Sequence, residues 1–147
     1  MEDPAQGVAF RGRIGENFKL STGTWVLVGS LRVALVDALS PLALDVVVTG
    51  HDRDAIGLLV LPGPAGRALS PADLQHAIAG HLRRWNHDHP SASERIGRAA
   101  VSLAPLSLDA GETTDKGYTN QRRVMENRAA EVEALFADPP GARVIAL

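Results

Sequence analysis

Two side chains stand out by their scarcity. The chain of 147 residues carries 13 arginines but only two lysines, Lys19 and Lys116. Its richness in Ala, Gly and Pro fits a coding bias in which arginine serves wherever a generic surface cation will do. A compact lysine ammonium and a planar guanidinium do different chemistry. A lysine retained under such a bias is therefore a candidate for a role that only an ammonium fills. Each lysine lies in a polar, glycine-containing loop. One runs from Arg11 to Trp25 and the other from Leu108 to Arg122. Exposed loops carry reactive residues more often than solvated helix faces do; the plain alternative is that both are simply turns.

Other constellations are weaker. Ser21-Thr22-Gly23-Thr24 has phosphate-loop composition, but no Gly-Lys-Ser/Thr follows it, and Gly7, Gly12 and Gly15 do not make a dinucleotide fingerprint. His87-Asp88-His89 and His51-Asp52 have metal-ligand types without a third ligand at suitable spacing, so no metal site is expected. The His87 pair reads more simply as cations at a helix C-terminus. His76 and His81 read as ordinary residues beside an apolar stripe. With no cysteine in the chain, disulfides, thiolate metal sites and a cysteine nucleophile are excluded.

The elements that must position the two loops follow from punctuation and periodicity. Val8–Arg13 reads as extended, Gly15-Glu16-Asn17 as a turn, and Phe18–Leu20 with Thr24–Val28 as further short strands of an N-terminal β-hairpin. Ser30 is placed as the N-cap of a helix carrying Leu31, Ala34, Leu35, Ala38 and Leu39, ended by Pro41. Residues 44–49 and 55–61 are two strands joined by the polar loop 50–54, and Gly63–Gly66 is a loop. Ser70-Pro71-Ala72-Asp73 opens a helix whose apolar stripe is Leu74, Ile78, Leu82 and Trp85 and which ends near His87. Arg98–Leu103 is a third strand, 105–119 a polar loop, and Asn120 the cap of a single last helix. Residues 137–141 lead into a short tail. The expectation is a small α+β domain, with a mixed or antiparallel sheet of about three core strands and flanking helices.

Size and charge narrow the function classes. A single domain over residues 1–147 can bury a real core without staples. Net charge is −2, so there is no basic field to hold a nucleic-acid backbone. No apolar run approaches a membrane span, and Met1-Glu2-Asp3-Pro4 lacks the pattern of a signal peptide. A cytoplasmic protein with neither nucleic-acid nor membrane partners is expected.

Three stretches in order then acquire a meaning. Gly12-Arg13, followed six residues later by Lys19 and then by a glycine, resembles the hinge motif opening the C-terminal domain of the acyl-adenylate-forming ligases. That superfamily comprises acyl-CoA synthetases, peptide-synthetase adenylation domains and luciferases. Thr113-Thr114-Asp115-Lys116-Gly117-Tyr118 with Arg122 resembles the loop carrying their adenylation lysine. Gly15 to Val26, Val48 to Asp54 and Gly111 to Tyr118 are most similar to the feruloyl-CoA synthetase branch. The likeness runs from about residue 7 to 136.

The resemblance implies a mobile lid without the large N-terminal adenylation domain, which holds the phosphate loop and the acid pocket and is expected to be the chain's missing partner. The complete enzyme would use ATP, Mg2+ and CoA on a small carboxylic acid, and the lid alone would be inactive. Lys116 would be the adenylation lysine and Lys19 the lysine of the thioester-forming conformation. Arg13 would reach the nucleotide, Gly23 and Thr24 would line the CoA channel, and Gly15 would be the hinge. At Gly15 many members carry Asp or Lys; the Lys19–Gly23 and Lys116–Arg122 spacings are longer than in some branches. The alternative is a stand-alone binding module descended from such a lid.

Overall fold

Strand β4 (Ile56–Pro62) is buried at every position, and the other elements are arranged around it. The computed structural model describes residues 17–113, 119–137, 140–141 and 143–147. The extended stretch expected over 8–13 and most of the turn at 15–17 lie outside the described residues. A two-stranded antiparallel hairpin, β1 (Phe18–Lys19) and β2 (Trp25–Val26), precedes helix α1 (Val28–Ala38). Strand β3 (Ala43–Thr49) then pairs antiparallel with β4. A four-residue helix, α2 (Pro64–Arg67), and the long helix α3 (Pro71–Asp88) carry the chain to β5 (Ile96–Val101), which is parallel to β4. Parallel neighbours need such a crossover. Helices α4 (Gln121–Asn127) and α5 (Ala129–Leu135) follow, and β6 (Val144–Ala146) closes the mixed sheet in the order β3-β4-β5-β6.

Both faces of the sheet are covered. Val46, Val48, Leu58, Val60 and Ala99 pack with α1 and α3, against Leu31, Leu35, Ile78 and Leu82. Val47, Leu59, Leu61 and Ala100 pack on the other side, against Val124 and Leu135 of α4 and α5. Burial on two faces is why β3 and β4 read as continuous apolar runs and not as alternating ones.

The α+β class and mixed sheet are as expected, with differences in detail. Helix α1 starts at Val28, not after Ser30. Its first N–H, that of Val28, donates to the Asn17 side-chain oxygen (2.9 Å), so the cap comes from eleven residues upstream and Ser30 merely bonds back to the Leu27 carbonyl. Gly63–Gly66, expected as a loop, includes most of α2, whose first residue is Pro64, a position that suits proline's fixed φ. The tail contains a fourth strand, too short to announce itself by pattern. The last helix is two: Arg128 (φ −113°, ψ 32°) breaks it. By contrast, Ser70 caps α3 by accepting from the Asp73 N–H at 3.1 Å, and Leu74, Ile78, Leu82 and Trp85 are its buried stripe.

The break at Arg128 has a cause. Its guanidinium turns inward and all five N–H groups find acceptors. Nε and Nη2 donate to the two Glu112 carboxylate oxygens (2.9 and 2.8 Å), Nη1 to Ser102 Oγ and the Ala104 carbonyl (2.6 and 2.7 Å), and Nη2 also to the Pro105 carbonyl (2.9 Å). The pair is almost wholly buried, with side chains 7% and 4% exposed. Glu112 also accepts from the Ser107 N–H. Hydrogen bonds from Arg128 outweigh the opposing effect of burial and hold the Glu112 carboxyl below the usual carboxylate range. Asp45 is similar. Burial pushes its carboxyl up, but hydrogen bonds from Arg32 and Thr119, the Arg32 charge and the Val46 N–H together bring it below its ordinary value.

Two outcomes follow from these pairs. Glu112→Ala leaves a buried guanidinium without its counter-ion, a loss of about 3–5 kcal/mol; thermal unfolding should show Tm falling by on the order of 10 °C. Acid should also destabilise the domain through both carboxylates. Each has a lower pKa folded than unfolded, so the unfolded chain takes up protons first. The stability they contribute is present above about pH 4.3 and is lost as pH falls toward their folded values. In urea titrations across that range, Glu112→Gln should show a shallower loss of stability with acid than the wild-type chain.

Candidate functional site

Five residues, Leu20–Thr24, join β1 to β2, and within them Leu20 and Thr24 pair across a three-residue turn, Ser21-Thr22-Gly23. Leu20 N–H donates to the Thr24 carbonyl and Gly23 N–H to the Leu20 carbonyl, both at 2.9 Å. Gly23 has φ +91°, and a Cβ there would meet nothing within 4 Å. The glycine is therefore required by the backbone of the turn, since a type I turn closed by a left-handed residue is what a three-residue hairpin loop uses. Its outer side is left open. Thr22 and Thr24 join their hydroxyls at 3.1 Å. Lys19 ends β1 directly opposite Trp25. Both are exposed, and the Lys19 ammonium lies 5.2 Å from the centroid of the Trp25 ring.

This short hairpin is not free-standing. Its loop is docked on the β3–β4 connection. Asp52 N–H donates to the Lys19 carbonyl (3.1 Å) and Ser21 N–H to the Arg53 carbonyl (2.9 Å). Ser21 Oγ donates to the Asp54 carboxylate (2.7 Å). Leu20 is buried beneath, 3.4 Å from where a Cβ on Gly50 would sit, and that Cβ would be 2.9 Å from the Ala55 carbonyl. Gly50 (φ +139°) is thus fixed both by conformation and by space. Two of the sequence stretches singled out above, Gly15–Val26 and Val48–Asp54, therefore meet as one unit through their described residues.

The second loop is held by its ends. Thr113 and Thr119 form an antiparallel bridge, and Asn120 N–H donates to the Glu112 carbonyl at 2.8 Å. The Glu112–Arg128 pair fixes the incoming side. On the outgoing side Thr119 hydrogen-bonds Asp45, which Arg32 grips with two nitrogens, and Gln121 Nε2 donates to the Val46 carbonyl at 2.8 Å. The two mounts thus lie at different points along β3: that of the hairpin on residues 50–54, just past the strand's C-terminal end, and that of the second loop on Asp45 and Val46, at mid-strand. The five residue steps from Asp45 to Gly50 span about 16 Å.

Lys19, Gly23 and Thr24 are brought together on the hairpin. Arg13, Gly15 and Lys116 lie outside the described residues, and with them the separation of the two ammonium groups. Sequence reasoning missed the supports: Arg128, Arg32, Asp45 and Thr119. Nothing in their spacing marked them, because each acts through a partner distant in sequence. Glu112 was within a quoted stretch, but its partner was not. Among the described residues no three His, Asp or Glu side chains converge to hold a metal ion. His89 instead stacks on Trp85 (centroids 3.7 Å apart) with its Nδ1 3.0 Å from the Trp85 carbonyl. Among the described residues no helix is long and apolar enough to cross a membrane.

Comparison with known proteins gives this arrangement a lineage. No curated protein matches the chain. Among solved structures, the A domain of a carboxylic acid reductase from Segniliparus rugosus, in complex with AMP and a co-purified carboxylic acid, superimposes with TM-score 0.69 at 22% identity, over 89% of this chain and 21% of that one. The A-PCP didomain of carboxylic acid reductase from the same organism, in complex with AMP, gives 0.69 at 24% identity, covering 88% and 18%. The adenylation domain of a carboxylate reductase from Mycobacterium chelonae gives 0.69 at 27% identity, covering 86% and 20%. The chain thus spans about a fifth of the length of the solved proteins it resembles. The family described as AMP-binding enzyme C-terminal domain matches residues 18–139, which take in the hairpin, both loop mounts and the whole of β3 to α5: the chain belongs to that family.

Proposed function

We propose that the chain is the mobile C-terminal domain of an AMP-forming carboxylate–CoA ligase, similar to feruloyl-CoA synthetase, working against a large N-terminal adenylation domain. The observation that carries this reading is the placement of the two loop mounts about 16 Å apart along β3. That exceeds a helix diameter of about 10–12 Å. A domain that serves two half-reactions in turn needs two separately presented active edges, and a single-site binding module does not.

The reaction has two steps. The carboxylate attacks the α-phosphorus of ATP, forming the acyl-AMP anhydride and expelling pyrophosphate. The thiol of CoA then attacks the acyl carbonyl, losing its proton and expelling AMP. In this reading Lys116 brings its ammonium between the acid's carboxylate and the phosphate, where charge gathers in the transition state. Lys19 serves the second conformation, beside the departing phosphate. Arg13 contacts the nucleotide's ribose or phosphate. The open side of Gly23, with nothing near a would-be Cβ, suits the close passage of a thiol-bearing arm along the backbone, with Thr24 beside it. Gly15 supplies the pivot, and rotation between steps is domain closure used catalytically. Mg2+ would enter with ATP, and no described residue is assigned to it.

Two measurements test the reading. The chain by itself, given ATP, Mg2+, CoA and a panel of aromatic acids, should release no AMP above background; turnover in a preparation freed of host ligases contradicts the lid assignment. In the enzyme complete with its adenylation domain, Lys116→Ala should slow acyl-AMP formation by on the order of 10²–10³ while supplied acyl-AMP still reacts with CoA. Lys19→Ala should do the reverse. Both variants impairing one and the same half-reaction would defeat the two-edge scheme.

A further inference from the structure

The hairpin exposes a large aromatic group that this scheme leaves without a task. Trp25 is 56% exposed, an unusual place for a large aromatic ring on so short a strand. It is the cross-strand partner of Lys19, so the two side chains leave the same face of the hairpin. Directly opposed side chains in an antiparallel pair stand about 4.5–5.5 Å apart at Cβ. The ammonium then lies 5.2 Å from the ring centroid, within cation–π range. The backbone beneath is fixed on the β1 side, at the entry to the turn, by Asp52 N–H on the Lys19 carbonyl and Ser21 N–H on the Arg53 carbonyl. An exposed lysine on such a mount has a fixed root and a free head, and its head has several rotatable bonds to lose when it acts. The indole face removes part of that freedom beforehand.

Among the described residues, the nearby groups of the β3–β4 connection make other contacts. Ser21 Oγ is directed to Asp54, Asp52 lies beside His51 at 3.4 Å, and Arg53 pairs with Glu133 while lying over the Phe136 ring. Asp54 thus accepts from Ser21 and Asp52 lies against His51, while the Lys19 ammonium lies over the Trp25 ring.

We propose that Trp25 is the positioning residue of Lys19: its indole holds the ammonium extended along the hairpin face, so that the lysine meets the acyl-phosphate already ordered. This rests on the reading of Lys19 as the lysine of the thioester-forming step. Pre-ordering a catalytic charge is worth rate because the transition state then need not order it. Aromatic identity matters more than bulk: phenylalanine keeps a π-face, and leucine keeps only apolar area.

Two readouts separate this proposal from its premise. In NMR spectra of the chain, the Lys19 side-chain methylene protons should be displaced upfield by the indole ring current, and the displacement should vanish in Trp25→Leu. Methylene shifts at ordinary lysine values in the wild type overturn the contact itself. In the enzyme complete with its adenylation domain, reaction of supplied acyl-AMP with CoA should slow roughly two- to five-fold in Trp25→Leu, the scale of one exposed cation–π contact. Trp25→Phe should retain most of the rate. In a Lys19→Ala background Trp25→Leu should have no further effect. An equal loss in both backgrounds means that Trp25 acts independently of Lys19 and overturns the proposal. A Lys19→Ala enzyme with an intact thioester step removes the premise instead, and the ring-current result distinguishes that case from failure of the contact.

Discussion

The buried pairing of Arg128 with Glu112 is the interaction on which the α4–α5 side of the domain depends. It joins four segments that share no regular secondary structure: the exit of β5 at Ser102 to Pro105, the turn at Ser107, the approach to the second loop at Glu112, and the junction between α4 and α5. A loop of this length has no ladder to supply its hydrogen bonds, and a buried polar group without a partner is costly. The guanidinium answers this with five donors in a rigid planar fork. The helix is sacrificed at one residue to deliver it, which is why the stretch expected as one helix after Asn120 is two.

The same logic explains what could be read in advance. Features governed by neighbours in sequence were legible: the Ser70 cap with Pro71 and Asp73, the buried stripe of α3, the polar turn between β3 and β4, and the glycine-bearing loops around the lysines. Features governed by distant partners were not. Asn17 looked like a turn residue and is a helix cap; Ser30 looked like a cap and is a bystander. Arg128 was one arginine among 13. Strand β6 has three residues and gains its identity only by pairing with β5. The candidate site divides in the same way. Lys19, Gly23 and Thr24 belong to one local motif and fall together on one hairpin, while the side chains that hold the second loop at Asp45 and Glu112 come from α1 and the α4–α5 junction.

The two loops are supported differently. The hairpin is short, with two residues per strand, and an isolated pair of that length has little stability of its own. It borrows rigidity from backbone bonds to the β3–β4 connection and from Leu20 beneath. The second loop is gripped by buried charge pairs at its base. The first mount is made mainly of neutral backbone hydrogen bonds, whereas the second depends on ionised carboxylates. Acid therefore bears unequally on the two mounts.

The bond from the Val28 N–H to the Asn17 side chain has a mechanical reading. Asn17 precedes β1, and α1 follows β2, so this contact shorts out the hairpin lying between them. A torque applied to the chain ahead of residue 17 reaches α1, and through it the Leu31, Leu35 and Leu39 contacts of the core, without first winding up the intervening turn. In mechanical terms the bond is a bypass: α1 is tied directly to the residue before β1, and the hairpin with Lys19 lies within the loop that the bond closes.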